Sequence, residues 1–193
     1  MNSHRALTRS RKYGVDLSIA STPVCGPDDV MVSPRFVGLC GADIQTYSGA
    51  FSVTASVLGH EGVGVITTVG ESVSSWSRGD AVVFNPVNPM DQDDVLGHSF
   101  GGLFQEQFLI ERAESVNWLI RRIPAELLNP IGALIEPIAT AIYSSELVAG
   151  QGDTRRAVVV GDGPIALLNS IVLRLRGFES VLMIHGRSTR GRW

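Results

Sequence analysis

LGHEGVGVITTVGESVSSWSRGD, residues 58–80, is the stretch on which the reading turns. His60 and Glu61 sit among Gly59, Gly62 and Gly64, where missing Cβ atoms let backbone close in on itself or on a ligand. The following GVGVITTVG alternates apolar and small or polar residues with a period of two, which predicts a strand with one face in a core. Gly79-Asp80 is expected to turn the chain. The stretch therefore carries an imidazole and a carboxylate in a tight bend ahead of a strand.

Outward from that stretch, residues 5–115 read the same way. Short β-type runs (VDLSIA, DVMVSPRFVGL, DAVVF, LFQEQFLI) are punctuated by Pro, Gly, Asp and Ser, the pattern of a barrel or sandwich. Pro34 donates no backbone N–H and belongs at an edge or bulge. NPVNPMDQDDVLGHSFGGL, residues 85–103, reads as a long polar loop. In LLNPIGALIEPIATAIYSSELV, Leu134, Ile138 and Ile142 fall at helical spacing, so a linking helix is expected over about 127–148, broken or kinked at Pro130 and Pro137. AGQGD closes this part. AVVVGDGPIALLNSIVLRLRG and VLMIH then read strand, glycine turn, apolar helix, strand. The expected division is 1–150 and 151–193.

Composition narrows the classes. The 193 residues are 44% apolar and 18% charged, a globular balance with room for a core. A net charge of −3 makes no case for nucleic acid or an anionic membrane. The two cysteines, Cys25 and Cys40, form no framework, which points to a reducing cytosol and a cytoplasmic protein. The basic N-terminus lacks the apolar core of a signal peptide, and no unbroken apolar run reaches the roughly 18 residues of a membrane span.

Cys40, His60, Glu61 and Glu136 are thiol, imidazole and carboxylates, the ligand types of a catalytic zinc centre. Taken singly, each has an ordinary explanation: a lone Cys is usually a small buried hydrophobe, and a lone His a satisfied core or surface group. The four are scattered, so spacing does not choose between the two. Gly161-x-Gly163-x-x-Ala166, preceded by a buried strand and followed by an apolar helix, is a dinucleotide-type turn. Gly161 would make the tight turn, Gly163 admit a pyrophosphate and Ala166 allow close helix packing, with Pro164 and Ile165 opening the helix whose N-terminus favours anions.

In order and spacing, GLCGADIQTYSGAF, LGHEGVGVITTVGESVSSWSRGDAVV, GGLFQEQFLI, ALIEPIATAIYS and VVVGDGPIALLNSIVLRLRG resemble successive blocks of the zinc-dependent medium-chain dehydrogenase/reductases, nearest the sorbitol and threonine dehydrogenase branch. The resemblance runs from about residue 5 to about 190 and implies a GroES-like β-barrel followed by the start of a Rossmann domain, here C-terminally truncated. It implies one catalytic zinc on Cys40 and His60, with Glu61 as a direct or water-bridged ligand and Glu136 as the fourth or alternate ligand. It also implies hydride transfer between a secondary alcohol or polyol and NAD(P), and homo-oligomers for an intact enzyme.

Departures from the family pattern matter too. Ala42 stands where many relatives carry a relay hydroxyl. Tyr47 falls where the polyol branch has a substrate-pocket Tyr, and packing in the barrel is its equal alternative. Asp43 is expected to hold the Cys40 loop by hydrogen bonds. The 85–103 loop lacks the cysteines of a structural zinc; its Asp91, Asp93, Asp94 and His98 read as a solvated acidic loop, with a metal role as the alternative. At the end of the second Rossmann strand His185 replaces the usual acid, and Arg187, Ser188 and Arg190 follow, which favours NADP over NAD, with plain surface basic residues as the alternative. The reading opposed to an enzyme is a catalytically inactive remnant, a zinc-binding barrel without a complete cofactor site. A zinc-free, quinone-reductase-type relative is a further alternative, opposed by Cys40, His60 and Glu136 together.

Overall fold

The computed structural model describes residues 2–10, 14–149 and 156–185. The chain forms two compact units, Met1–Glu136 and Pro137–Trp193.

In the first unit, β1 (Ser3–Ser10) and β2 (Gly14–Ser21) form an antiparallel ribbon with Leu7 opposite Leu17. Then come β3 (Val30–Val37), α1 (Gly41–Tyr47), β4 (Gly62–Val69), β5 (Ala81–Phe84), β6 (Val87–Asn88), β7 (Asp91–Val95), β8 (Phe108–Ile110) and β9 (Ile120–Arg122). Five of these make one antiparallel sheet in the order β8-β3-β4-β5-β9, curled into a half-barrel. The alternation read in residues 62–69 is real: Gly64 and Ile66 are buried, while Val65 and Thr67 are partly exposed. Val30, Val32, Ile66, Val82, Phe84, Phe108, Ile110 and Ile120 fill the interior, with Phe84 edge-on to Phe108 at 5.6 Å. Pro34 lies at a register shift of β3, beyond Val30–Val32, the part that β8 pairs with, so no ladder bond is asked of it there.

Three expectations are corrected. Residues 85–103 are not all loop, because β6 and β7 form a small hairpin. Asn88 accepts the Met90 N–H at 3.0 Å and donates to Asp94 at 3.1 Å, closing a turn whose polar flanks carry no alternation to read. Residues 41–47 are the helix α1, begun at Cys40, whose N–H donates to Asp43 at 3.0 Å. Third, the linking helix starts later and Pro137 does not break it. Ala125–Leu127 and Pro130–Leu134 are 3-10 turns, the second capped by Asn129, and α2 runs Ile135–Ala149. Pro137 falls in the first turn of α2, where an N–H has no intrahelical partner to lose.

The predicted apolar stripe is only partly covered, with Leu134 41% and Ile142 40% exposed. Pro130–Val148 is also long and apolar enough, at mean hydropathy 1.3, to match a membrane span by length and composition alone. Against that use, its first turn packs on β3 and β4, and it carries Glu136 and Glu146.

In the second unit, β10 (Arg156–Val160), α3 (Pro164–Leu175) and β11 (Ser180–Ile184) form the expected β-α-β, with β10 and β11 parallel and Val158 opposite Leu182. Val172, Leu173 and Phe178 are buried here, and Arg176 pairs with Glu146 at 3.0 Å.

Candidate active site

Cys40 lies three residues past β3 and caps α1, which leaves its side chain half-buried at the helix start. The local cause is Asp43. This carboxylate is fully buried; one oxygen accepts the Cys40 N–H at 3.0 Å and the other the Gly59 N–H at 3.3 Å. A single side chain thus ties the thiol's loop to the imidazole's loop, the binding role read for it from the sequence. Gly59 has φ +93°, and the Phe104 ring would meet a Cβ there at 3.0 Å, so only glycine makes this bend.

His60 is 8% exposed, and its Nδ1 is 3.8 Å from Asp43 Oδ1, beyond hydrogen-bond reach. That nitrogen is buried with no hydrogen-bond partner among the described residues. Burial holds the imidazole's pKa below its usual range; Asp43 opposes this and His98 adds to it. A neutral ring is the form that ligates a metal. Burial pushes the Cys40 thiol's pKa up, and Glu61, Asp43 and Glu136 push it further. Burial also pushes the Glu61 carboxyl up to about 7, followed by Glu136 and Asp43.

Thiol and carboxylates therefore crowd one another's negative charge, and a buried imidazole nitrogen lacks a partner. Both are relieved by a cation, so the donor chemistry fits zinc. The donors are not drawn into a closed cage: among the described residues no group of three His, Cys, Asp or Glu side chains is arranged to hold an ion.

Tyr47 ends α1, half-buried, its phenol pKa raised by burial and then by Asp43. Thr46, the neighbouring hydroxyl on α1, is buried, and its Oγ1 donates to the Ala42 carbonyl at 2.9 Å. Cys25 lies apart, its thiol on the Asp29 carbonyl at 3.4 Å. Sequence reasoning misplaced His98. Its ring meets His60 edge-on at 5.1 Å, and its Nε2 is buried and unpartnered among the described residues. The signal was present in the LGHSFGG glycines, but the acidic residues beside it suggested solvent.

In the second unit Gly161 follows β10 with φ +138° and donates to the Ile184 carbonyl at 2.8 Å. A Cβ added at Gly161 would lie 3.2 Å from that of Ala166, the close packing expected of that pair. Gly163 caps α3, Pro164 takes its first position, and nothing stands within 4 Å of where a Gly163 Cβ would be. First-turn amides of Ile165 and Ala166 thus begin a helix with open space at its cap, which fits a dinucleotide's phosphates. His185 is exposed just past β11. Arg187, Ser188 and Arg190 lie outside the described residues.

Residues 26–120 match the alcohol dehydrogenase GroES-like domain. The chain is 31% identical to (R,R)-butanediol dehydrogenase of Bacillus subtilis, over 84% of this chain and 52% of that protein. It is 29% identical to sorbitol dehydrogenase of Gallus gallus, over 87% and 52%. A Sinorhizobium meliloti protein assigned as a zinc-binding dehydrogenase, crystallised with NADP, superposes with a TM-score of 0.80 at 25% identity, over 95% of this chain and 56% of that one. The chain spans about half the length of the curated relatives it matches.

Proposed function

We propose that the chain is a zinc-type medium-chain dehydrogenase and that it serves hydride transfer between a secondary alcohol or polyol and NAD(P). The observation that carries the reading is that Cys40, Glu61 and Glu136 act on one another electrostatically, while the buried His60 nitrogen has no hydrogen-bond partner among the described residues. Cys40 and His60 would hold one zinc, with Glu61 and Glu136 as direct, bridged or alternating ligands. A bound zinc supplies Lewis acidity toward the alcohol oxygen. Asp43 keeps the thiol and imidazole loops in register. Tyr47 offers a hydroxyl and a ring to the substrate's carbon chain. With Ala42 in the relay position, the alcohol's proton leaves through the substrate's own hydroxyls or water.

The barrel-bearing domain runs to about residue 150 in this reading, and the nucleotide domain begins at 151. There Gly161, Gly163, Pro164, Ile165 and Ala166 receive the pyrophosphate at the start of α3. The absence of a carboxylate at His185 supports NADP over NAD, with Arg187, Ser188 and Arg190 as partners of the 2′-phosphate. Two unbridged cysteines are in keeping with a reducing cytoplasm.

Zinc binding tests the reading first. Competition against a chromogenic chelator should find one zinc per chain, and Cys40→Ala or His60→Ala should weaken it by more than about 100-fold, the upper range for losing a mere supporting partner. An unchanged affinity in both variants would refute the site. A second reading, a barrel without turnover, is favoured by one observation: among the described residues no group of three His, Cys, Asp or Glu side chains is arranged to hold an ion. Titration with NADP+ and NAD+ separates the two, since only the enzyme binds a cofactor.

A further inference from the structure

Resting on the zinc-site reading, we propose that His98 is a positioning residue for His60, holding the plane of its imidazole so that the ring addresses the metal. Asp43 does not do this alone, because its oxygen stays 3.8 Å from His60 Nδ1 and makes no hydrogen bond to steer the ring. The second constraint is aromatic. His98 meets His60 edge-on at 5.1 Å and 66°, and Phe51 meets His98 at 5.6 Å and 65°, so His98 is wedged between two rings.

Its backbone is pinned to the loop it supports. The His98 carbonyl accepts the Thr54 and Ala55 N–H groups at 3.0 and 2.9 Å. A few residues on, the amides of Gly102, Leu103 and Phe104 donate to the carbonyls of Val57, Gly59 and Leu58 at 2.8, 2.9 and 3.0 Å. A Cβ at Gly102 would lie 2.4 Å from the Gly59 carbonyl oxygen, so the two segments touch backbone to backbone. His98 is thus clamped on both sides to the segment that delivers His60, and its ring position follows from that clamp. The acidic hairpin before it supplies the scaffold for a metal-pocket wall.

The test uses the full chain and two variants. Neither touches the carbonyl bonds of residue 98, and circular dichroism checks the fold. In metal-free protein with labelled histidines, His98→Ala should shift the His60 ring-proton resonances, which lose the neighbouring ring current. It should also weaken Co2+ and Zn2+ binding about 10-fold, the lower range for removing a ligand's support. His98→Phe keeps a ring and should restore most of that affinity. Unmoved His60 resonances with unchanged metal affinity in His98→Ala would overturn the proposal. So would a His98→Phe protein as weak as His98→Ala, since a nitrogen would then be the operative group. If wild-type chain binds neither ion while His98→Ala still shifts His60, the ring contact stands and the zinc reading falls.

Discussion

β5 and β10 are written in nearly the same letters and meet opposite fates. Ala81–Phe84, AVVF, is buried at every residue, with Val82 at 0% and Phe84 at 1% exposure. Arg156–Val160, RAVVV, leaves Val158 59% and Val160 81% exposed. β5 lies inside the curled sheet between β4 and β9, while among the described residues β10 has one strand partner and one helix. An apolar strand stabilises a fold through what covers it, so the first unit holds most of the burial that the described residues show.

Truncating equivalent apolar positions is the largest test of that contrast. Phe84→Ala should cost about 3–5 kcal/mol in urea unfolding, the cavity range for a buried aromatic. Val160→Ala should stay within about 0.5 kcal/mol. A Val160→Ala protein as damaged as Phe84→Ala would mean that β10 is covered in solution.

Glycine substitution is the next test. Gly102→Ala forces a methyl onto the Gly59 carbonyl at 2.4 Å and should cost about 1–3 kcal/mol, with weakened zinc binding because the His60 loop moves. Gly163→Ala meets nothing within 4 Å and has φ −86°, so stability should change by less than about 0.5 kcal/mol while NADP+ affinity falls, since the methyl stands where phosphate would approach. Thermal melts and cofactor titration read both.

The smallest effect is a pH slope. Glu61 has a folded-state pKa of about 7 against an ordinary 4.5. Between those values the folded metal-free chain holds more protons than the unfolded one, so this group makes stability fall as pH rises. Glu61→Gln should flatten that fall relative to wild type, and added Zn2+ should reverse it if the proposed site takes Glu61 as a carboxylate. Melting temperatures across pH 4.5 to 7 check both statements.

Much of the fold was legible in the sequence because its signals are local. Period-two alternation marked β4, the glycine turn marked β10 and α3, and a missing N–H placed Pro34 at a bulge. The hairpin of β6 and β7 was not legible, since polar residues on both faces leave no period to follow. α1 was missed because seven residues are too few for a helical stripe, and its start depends on one Asp43 carboxylate. His98 was misread for a related reason: its exposure depends on the backbone clamp between residues 54–59 and 98–104, a contact across some forty residues of chain.

The sequence by itself determined the main strand runs, the strand–glycine turn–helix–strand of the second unit, and the residue types at Cys40, His60, Glu61 and Glu136, because side-chain chemistry and short-range backbone geometry are written residue by residue. Only the tertiary structure decided which groups feel one another. Asp43 reaches Gly59, Glu61 lies within the field of Glu136, and His98 leans on His60 because the curled sheet brings separate loops to one mouth. Burial and Coulomb interactions depend on distance through space, and chain order does not encode that distance directly.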